Sequence, residues 1–549
     1  MILDFNPAQR LFTLKVPASQ GADIMVEYGL DMSSSASTAE EAVLFTPEPY
    51  AAVTFADHAT ERARTELSYI INQIERSWAP SSARHIDFPQ EIRDSGRAPW
   101  PVQLASADYA LTAFDRGQTG VLIGDEPGIG KTITAVLIAN DLKASHVLVV
   151  CPASIRFQWQ RRIREWTTIA DDSQVILASN KGVGIGVGHE LATWTVISWD
   201  LVWRGGIWRA LAKGHYDLLI LDEAHYAKTY DAKRTRAIFG GGDTFVAEPL
   251  AKRASRVLAL TGTPLPNRPR EAYTLARGLC WEAIDFMSED KFGARYNPIK
   301  TGWAPGGYWK SEQVGRTAEL QNRLRSNFMV RHLKRDVMPQ LKLPIFDLIR
   351  VEETRAVKAA LAYERLLDID PETFEGADAD VLGHIAVARR QMGVAMAPQV
   401  ASYLRMLVEG GEEKLTVFAW HIEVLDILCA ELDKFGVIRV DGRDSAQAKD
   451  RKVREFIRDP GKRLIMGNVL SLGTGTDGLQ EVCSHALLAE ADWVHGNNVQ
   501  CFDRLDRGGQ KAQVQGDIFV APGSIAEKIL ASALRKAQVV ERTLDRRLV

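Results

Sequence analysis

VLIGDEPGIGKT, residues 121–132, passes from a short apolar run through a glycine-rich turn into a segment that predicts a helix beginning near Lys131. Glycines at such a turn let backbone N–H groups converge on phosphate oxygens, and the helix N-terminus adds partial positive charge. Gly128 and Gly130 then shape a cradle, Lys131 reaches the β and γ phosphates, and the Thr132 hydroxyl is available to a magnesium ion. Asp125 stands where the strict spacing GxxxxGK[ST] has its first glycine. Read alone, the loop therefore also fits an ordinary tight turn.

Working outward, the apolar runs VLVVC (147–151), TVIS (195–198), LLIL (218–221) and VLALTG (257–262) alternate with helical segments. Short continuous apolar runs of this kind mark parallel strands buried on both faces, so the fold class is α/β. One of them, YDLLILDEAH (216–225), ends in Asp222 and Glu223. The carboxyl edge of such a sheet is where ligands bind. Asp222 suits a magnesium ion held through water, and Glu223 suits orienting and deprotonating an attacking water. Behind the second run, Ile155, Trp159, Ile163 and Trp166 share one helix face and leave Arg161, Arg162 and Arg164 for solvent or a polyanion.

A second α/β pattern begins after residue 410, with KLTVFAW (414–420), GVIRVDG (436–442), RLIMGNV (463–469), HALLAEA (485–491) and GDIFVAP (516–522). Between the two patterns, 268–345 is rich in Arg, Trp, Pro and Gly and 355–408 is helical, so both read as insertions. Ser524 and Glu527 form a capping-box pattern ahead of a terminal helix striped by Ile529, Ala533, Ala537, Val540 and Leu544. Ahead of everything, Phe12, Leu14 and Val16, then IMVEY (24–28) and YAAVTF (50–55), read as strands, and Leu67, Ile70, Ile71, Ile74 and Trp78 as a helix. The expected organisation is a small α+β domain (1–95), a first lobe (96–345) with a helical protrusion from about 268, a helical protrusion or linker (346–410), a second lobe (411–522) and a C-terminal brace helix (523–549).

With 549 residues the chain is far larger than a peptide-binding module, and 67 Lys and Arg against 70 Asp and Glu leave a net charge of −3. No global positive field announces a nucleic-acid partner, so such binding must come from local patches. Five cysteines (151, 280, 429, 483 and 501) without a CxxC pair argue against a disulfide framework and a structural zinc site. The first residues lack a charged-then-apolar leader and no apolar run is long enough to span a bilayer, so a cytoplasmic protein without membrane contact is expected. No HExxH or zinc-ligand spacing supports a fused nuclease.

Taken in order, the motifs resemble those of superfamily 2 helicases, and specifically the Swi/Snf family of ATP-driven DNA translocases, over roughly residues 96–545. The resemblance implies two RecA-like lobes with ATP and Mg²⁺ between them. Gln103 in APWPVQLASADYAL resembles the glutamine that recognises adenine, and CPASIRFQW (151–159) the first DNA-contact motif. LALTGTPLPN (258–267) resembles the motif coupling hydrolysis to DNA, and VFAWHIEVLDIL, VDGRDS and SLGTGTDGLQ those of the second lobe. QCFDRLDRGGQ (500–510) is similar to the closing motif, whose two arginines, here Arg504 and Arg507, would face the γ-phosphate across the cleft, with Gln510 also at the nucleotide. Such arginines stabilise transition-state charge. Alone, beside Asp503 and Asp506, they would equally fit helix-surface ion pairs.

Within the family the second-lobe motifs look most like annealing helicases and fork remodellers. The sequence departs from the pattern at Pro127, where an apolar residue such as methionine is usual, at Asp506 for histidine and at Gly508 for isoleucine. The implied partner is double-stranded or branched DNA without sequence preference, gripped by a monomer through Ser154, Thr261, Thr263, Ser471 and Thr474. RLRSNFMVRHLKR (323–335), the densest positive stretch, is expected to contact duplex through Arg331, Lys334 and Arg335. A strand-separating DNA or RNA helicase and a nucleotide-dependent switch with little turnover are the alternatives. For residues 1–95, junction recognition and bracing of the first lobe are both open.

Overall fold

The apolar runs become central strands in the computed structural model of the chain. It describes residues 1–9, 11–170, 175–178, 193–240, 249–265, 268–297, 300–301, 308–309, 316–367, 379–473, 477–492 and 495–545. The first lobe is a seven-stranded parallel sheet in the order Met329–Val330, Gly120–Ile123, Ala254–Leu260, Tyr216–Asp222, Val147–Cys151, Trp194–Ser198, Val175–Leu177. Leu260 pairs with Ile123 on one side and Asp222 on the other. This register lines up the carboxyl ends of three strands, so the phosphate loop, Glu223 and Thr261 emerge side by side.

The second lobe is a six-stranded parallel sheet, Ile345–Arg350, Gln515–Val520, His485–Leu488, Leu415–Ala419, Leu464–Asn468, Val437–Val440. Both sheets carry apolar cores on both faces. The architecture is α/β with two RecA-like lobes.

Residues 346–410 are not a linker. Their first five residues complete the edge strand Ile345–Arg350, and helices Arg355–Leu366 and Ala379–Glu409 bury Val357, Leu361, Met396 and Leu404 in the core that contains Val417 and Phe519. The strand escaped the sequence reading because it is an edge, exposed on both faces, and carries no alternation. The segment from 268 likewise packs onto the first lobe rather than protruding: Leu275, Leu279, Leu320 and Leu324 join its core.

The amino-terminal sheet is antiparallel, Ile2–Asn6, Leu11–Pro17, Glu41–Thr46, Asp31–Met32. Two expected strands are helices. IMVEY lies in Ala18–Tyr28, entered directly from Pro17, and YAAVTF begins in Pro49–Val53, where proline occupies the first turn. Pro49 was the readable start signal, because proline's missing N–H costs nothing at that position. Helix Glu61–Arg76 joins this domain to the first lobe. Asn322 Nδ2 donates to Glu48 at 2.7 Å, and Arg325 lies 3.3 Å from the centre of the Trp78 ring.

The final helix, Ile525–Leu544, starts on the second lobe, where Ser524 Oγ accepts from Glu527 N at 3.2 Å. It ends on the first, where the Thr543 carbonyl accepts from Gln321 and the Leu544 carbonyl from Arg325. Ile529 and Leu544 of the expected stripe are buried, and the side chains at 533, 537 and 540 lie outside those described. None of the five cysteines forms a disulfide. Among the described residues no helix is long and apolar enough to cross a membrane.

Candidate nucleotide site between the lobes

Gly128 and Gly130 take φ of 90° and 95°, the left-handed region that favours glycine, and helix Lys131–Asp141 follows directly. A Cβ on Gly130 would lie 2.2 Å from Gln103 Nε2, and one on Gly128 would lie 2.7 Å from the Arg507 Cβ of the second lobe. The loop is thus closed in from both lobes. Lys131 Nζ donates to the carbonyls of Asp125 (2.7 Å) and Glu126 (3.2 Å), curled over its own loop. Burial lowers the Lys131 pKa from its ordinary value, opposed by Glu223, Asp125 and Asp222.

Asp125, the departure from strict spacing, is fully buried and structural. Its carboxylate accepts from Ser106 Oγ (2.6 Å) and His332 N (2.9 Å) and meets His332 Nδ1 at 2.9 Å. Burial opposes its ionisation, but His332 and Ser106 outweigh that and lower its pKa. The aspartate therefore anchors the front of the loop where a glycine would anchor nothing.

At the neighbouring strand end, Asp222 accepts from Trp159 Nε1 (2.6 Å) and from Glu223 N (2.9 Å). Burial and the Glu223 charge raise the Asp222 pKa, while His225, 3.3 Å from Glu223 Oε2, leads the groups that lower that of Glu223 against its own burial. Glu223 has φ of 50°, in the strained left-handed region, and its Oε2 is buried beside His225. Two left-handed glycines ahead of the helix that starts at Lys131 are the backbone arrangement that binds phosphate. The oxygens of Thr132 and Asp222 suit magnesium, and two protein ligands are the number a cation needs when substrate phosphates supply the rest. The residues fit a nucleotide with its metal.

Arg504 and Arg507 come from the second lobe to this edge. Arg504 is buried and close enough to Glu223 that each shifts the other's pKa; burial and Arg507 lower that of Arg504 to about 10. Arg507 lays its stem on Gly128 and directs Nη1 to Asp477 at 3.4 Å. Asp477 in turn accepts from Arg162 Nη2 at 3.0 Å, joining the lobes.

Other expected residues are placed differently. Gln103 is buried at the loop, with Oε1 accepting from Trp100 N and Nε2 donating to the Ile129 carbonyl. Gln510 is not turned to the cleft: Nε2 donates to the Cys483 and Leu505 carbonyls and Oε1 accepts from Lys511 and Ala512 N–H, which close its own turn. Thr261 is buried, its Oγ1 3.0 Å from His225 Nδ1, so it relays between Glu223's neighbour and the adjoining loop rather than facing DNA. Thr263 stays half-buried beside Gly496. Ser471 is buried and Ser154 half-buried, while Thr474 lies outside the described residues.

The basic stretch is the largest correction. Arg323, Arg325, Arg331 and Lys334 are all buried, because each is consumed by internal partners. Arg331 makes a bidentate pair with Asp545 (2.5 and 3.1 Å) and donates to the Gly124 and Gly262 carbonyls. Lys334 pairs with Asp503 and Asp506. Of the three residues expected to touch duplex, Arg335 alone is exposed.

Two of the family departures, Gly508 and Pro127, are closely packed, each against a different residue. A Cβ on Gly508 would lie 2.1 Å from Trp100, and one on Gly262 would lie 2.5 Å from Pro127. The contacts of His225, Trp159, Asp477 and Glu126 at the site were not read from the sequence, although each lies in a quoted motif and Trp159 was read only as part of a buried helix face.

Residues 100–362 match the SNF2-related domain. The match falls on the segment that carries the first-lobe motifs, in agreement with the resemblance drawn from them. It is 28% identical over 477 residues to the cattle (Bos taurus) DNA annealing helicase and endonuclease ZRANB3, covering 85% of this chain and 42% of that protein. It is 29% identical over 466 residues to the Xenopus tropicalis SWI/SNF-related matrix-associated actin-dependent regulator of chromatin subfamily A-like protein 1, covering 83% and 46%. The chain thus spans less than half the length of these two relatives. The solved Sulfolobus solfataricus SWI2/SNF2 ATPase core in complex with dsDNA is 15% identical with a TM-score of 0.37, covering 82% of this chain and 98% of that one.

Proposed function

We propose that the chain is an ATP-dependent double-stranded DNA translocase that hydrolyses ATP when DNA is bound and remodels or reanneals branched DNA. The observation that carries this reading is the meeting of Gly128, Lys131 and Glu223 of one lobe with Arg504 and Arg507 of the other. In it, the glycine loop and Lys131 hold the β and γ phosphates, and Gln103 lies where adenine would be read. Glu223, with His225 at its side, aligns water and takes its proton. Magnesium bound by Thr132 and Asp222 would neutralise phosphate charge. Arg504 and Arg507 stabilise the charge that develops on the γ-phosphate, an effect of roughly 10³-fold or more.

Because each lobe supplies part of the pocket, the triphosphate favours the closed cleft and loss of the γ-phosphate releases it. Lobes that alternate while gripping phosphates would step along duplex with little sequence preference. Ser154, Thr263 and Arg335 are the expected contacts that remain open to DNA. The printed name of the cattle relative, an annealing helicase, supports the branched substrate.

The test is ATP hydrolysis with no nucleic acid, single strands, duplex, forked duplex and RNA, on wild type and Glu223→Gln. Duplex or forked DNA should stimulate the wild type, and the variant should lose turnover. Displacement of a triplex third strand without separation of the duplex beneath it would distinguish translocation from unwinding. Turnover that DNA fails to raise would contradict the reading.

A further inference from the structure

The turn that carries the two arginines also carries Asp503 and Asp506, both buried. Carboxylates and guanidiniums so close together in a dry turn attract one another, which would withdraw the arginines from a nucleotide. A lysine from the other lobe intervenes. Lys334, in the short helix Lys334–Val337, donates from Nζ to Asp503 Oδ1 at 2.6 Å, to the Asp506 carbonyl at 2.9 Å and to the Asp506 carboxylate.

The same residue is bonded to the phosphate loop. Its backbone N–H donates to Glu126 Oε2 at 2.6 Å, and the Glu126 carbonyl accepts from Lys131 Nζ at 3.2 Å. A continuous path of Lys131, Glu126, Lys334 and the two aspartates therefore joins the phosphate cradle to the arginine turn. Asp503 Oδ2 is buried without a hydrogen-bond partner, so this carboxylate has capacity to capture a nearby cation once Lys334 is removed.

We propose that Lys334 is a positioning residue for hydrolysis: its ammonium occupies the Asp503 and Asp506 carboxylates so that they do not capture Arg504 and Arg507, which stay available to a γ-phosphate, and its main chain ties their turn to the phosphate loop. This rests on the ATP hydrolysis proposed above. Lys334 touches no reacting atom and acts through the two arginines. Asp506, where histidine is usual, supplies the second carboxylate that makes the lysine necessary.

The experiment compares DNA-stimulated kcat and KM for ATP in wild type, Lys334→Met, and the triple variant Lys334→Met/Asp503→Asn/Asp506→Asn, with thermal melting to confirm folding. Lys334→Met should lower kcat at least about tenfold, with KM within about twofold, because captured arginines are lost from the transition state alone. Neutralising both aspartates in that background should return kcat to within about threefold of wild type. A lysine needed only for structure would leave the folded triple variant at or below the single one, and that result overturns the proposal, as does unchanged kcat in Lys334→Met. Should Lys334→Met fail to fold, the triple variant leaves no unpaired buried charge at this site and decides alone: near-wild-type turnover supports the proposal, and a loss beyond tenfold overturns it. A wild-type protein without ATP turnover on any nucleic acid would instead refute the parent reading, a result distinct from both.

Discussion

Replacing Arg331 by alanine should unfold the first lobe more readily rather than selectively weaken DNA binding. Its guanidinium is buried and holds three separate parts of the chain: Asp545 at the end of the last helix, the Gly124 carbonyl at the mouth of the phosphate loop, and the Gly262 carbonyl in the loop after Thr261. Removing one member of a buried ion pair costs ~3–5 kcal/mol, because the survivor is left uncompensated. Each stranded carbonyl that water cannot reach adds ~1–3 kcal/mol. A total of at least ~5 kcal/mol lowers the melting temperature by roughly 10–20 °C for a lobe of this size. Arg335→Ala, four residues on and half-exposed, is the internal control, with an expected change within about 0.5 kcal/mol. Tryptophan-fluorescence melts read the first quantity, and fluorescence anisotropy with labelled duplex reads any change in affinity. An Arg331→Ala protein that melts within 2 °C of wild type (about 1 kcal/mol at most) but binds duplex poorly would refute the burial argument and restore the stretch as a DNA surface.

Gly508→Ile, the residue usual in the family, should force its side chain into Trp100 and disfavour the closed cleft by ~1–3 kcal/mol. ATP KM should then rise about 5- to 150-fold, and Trp100→Ala in that background should relieve it; an unchanged KM would contradict the contact. Glu48, pushed up to about 7 mainly by burial, is protonated in the folded chain below that pH and charged there above it. Its stabilising contribution is complete below about pH 4.5, declines as pH rises, and is lost through about pH 7, up to ~3 kcal/mol. Glu48→Gln should flatten the melting temperature between pH 5 and 8, and an unaltered slope would show that Glu48 is not the titrating group. Gln510→Ala should leave ATP KM within about twofold while lowering stability by ~1 kcal/mol, whereas Gln103→Ala should raise KM severalfold; the reverse order would return Gln510 to the nucleotide.

The two-lobed architecture was readable because buried parallel strands write themselves as unbroken apolar runs, as in VLVVC and LLIL, and because Asp222 and Glu223 end one of them. The edge strand Ile345–Arg350 was not, since an exposed edge imposes neither alternation nor continuity on its side chains. Local charge density misled at 323–335 for a different reason: the carboxylates that absorb those cations lie outside the run, Glu319 just ahead of it and Asp285, Asp503, Asp506 and Asp545 far away in sequence. Glu319 is the nearest, and even it stands outside the run that looked purely basic. Asp125 and Gly508 read as blemishes on their motifs until His332 and Trp100 stood beside them.

Whether Arg504 completes a pocket begun by Lys131 and Glu223 is decided most directly by single-turnover ATP cleavage on duplex DNA, with ATP affinity measured by equilibrium titration. For Arg504→Ala the account predicts cleavage slower by roughly 10³-fold or more, at an ATP affinity changed only a fewfold. Cleavage within tenfold of wild type at unaltered affinity would contradict it.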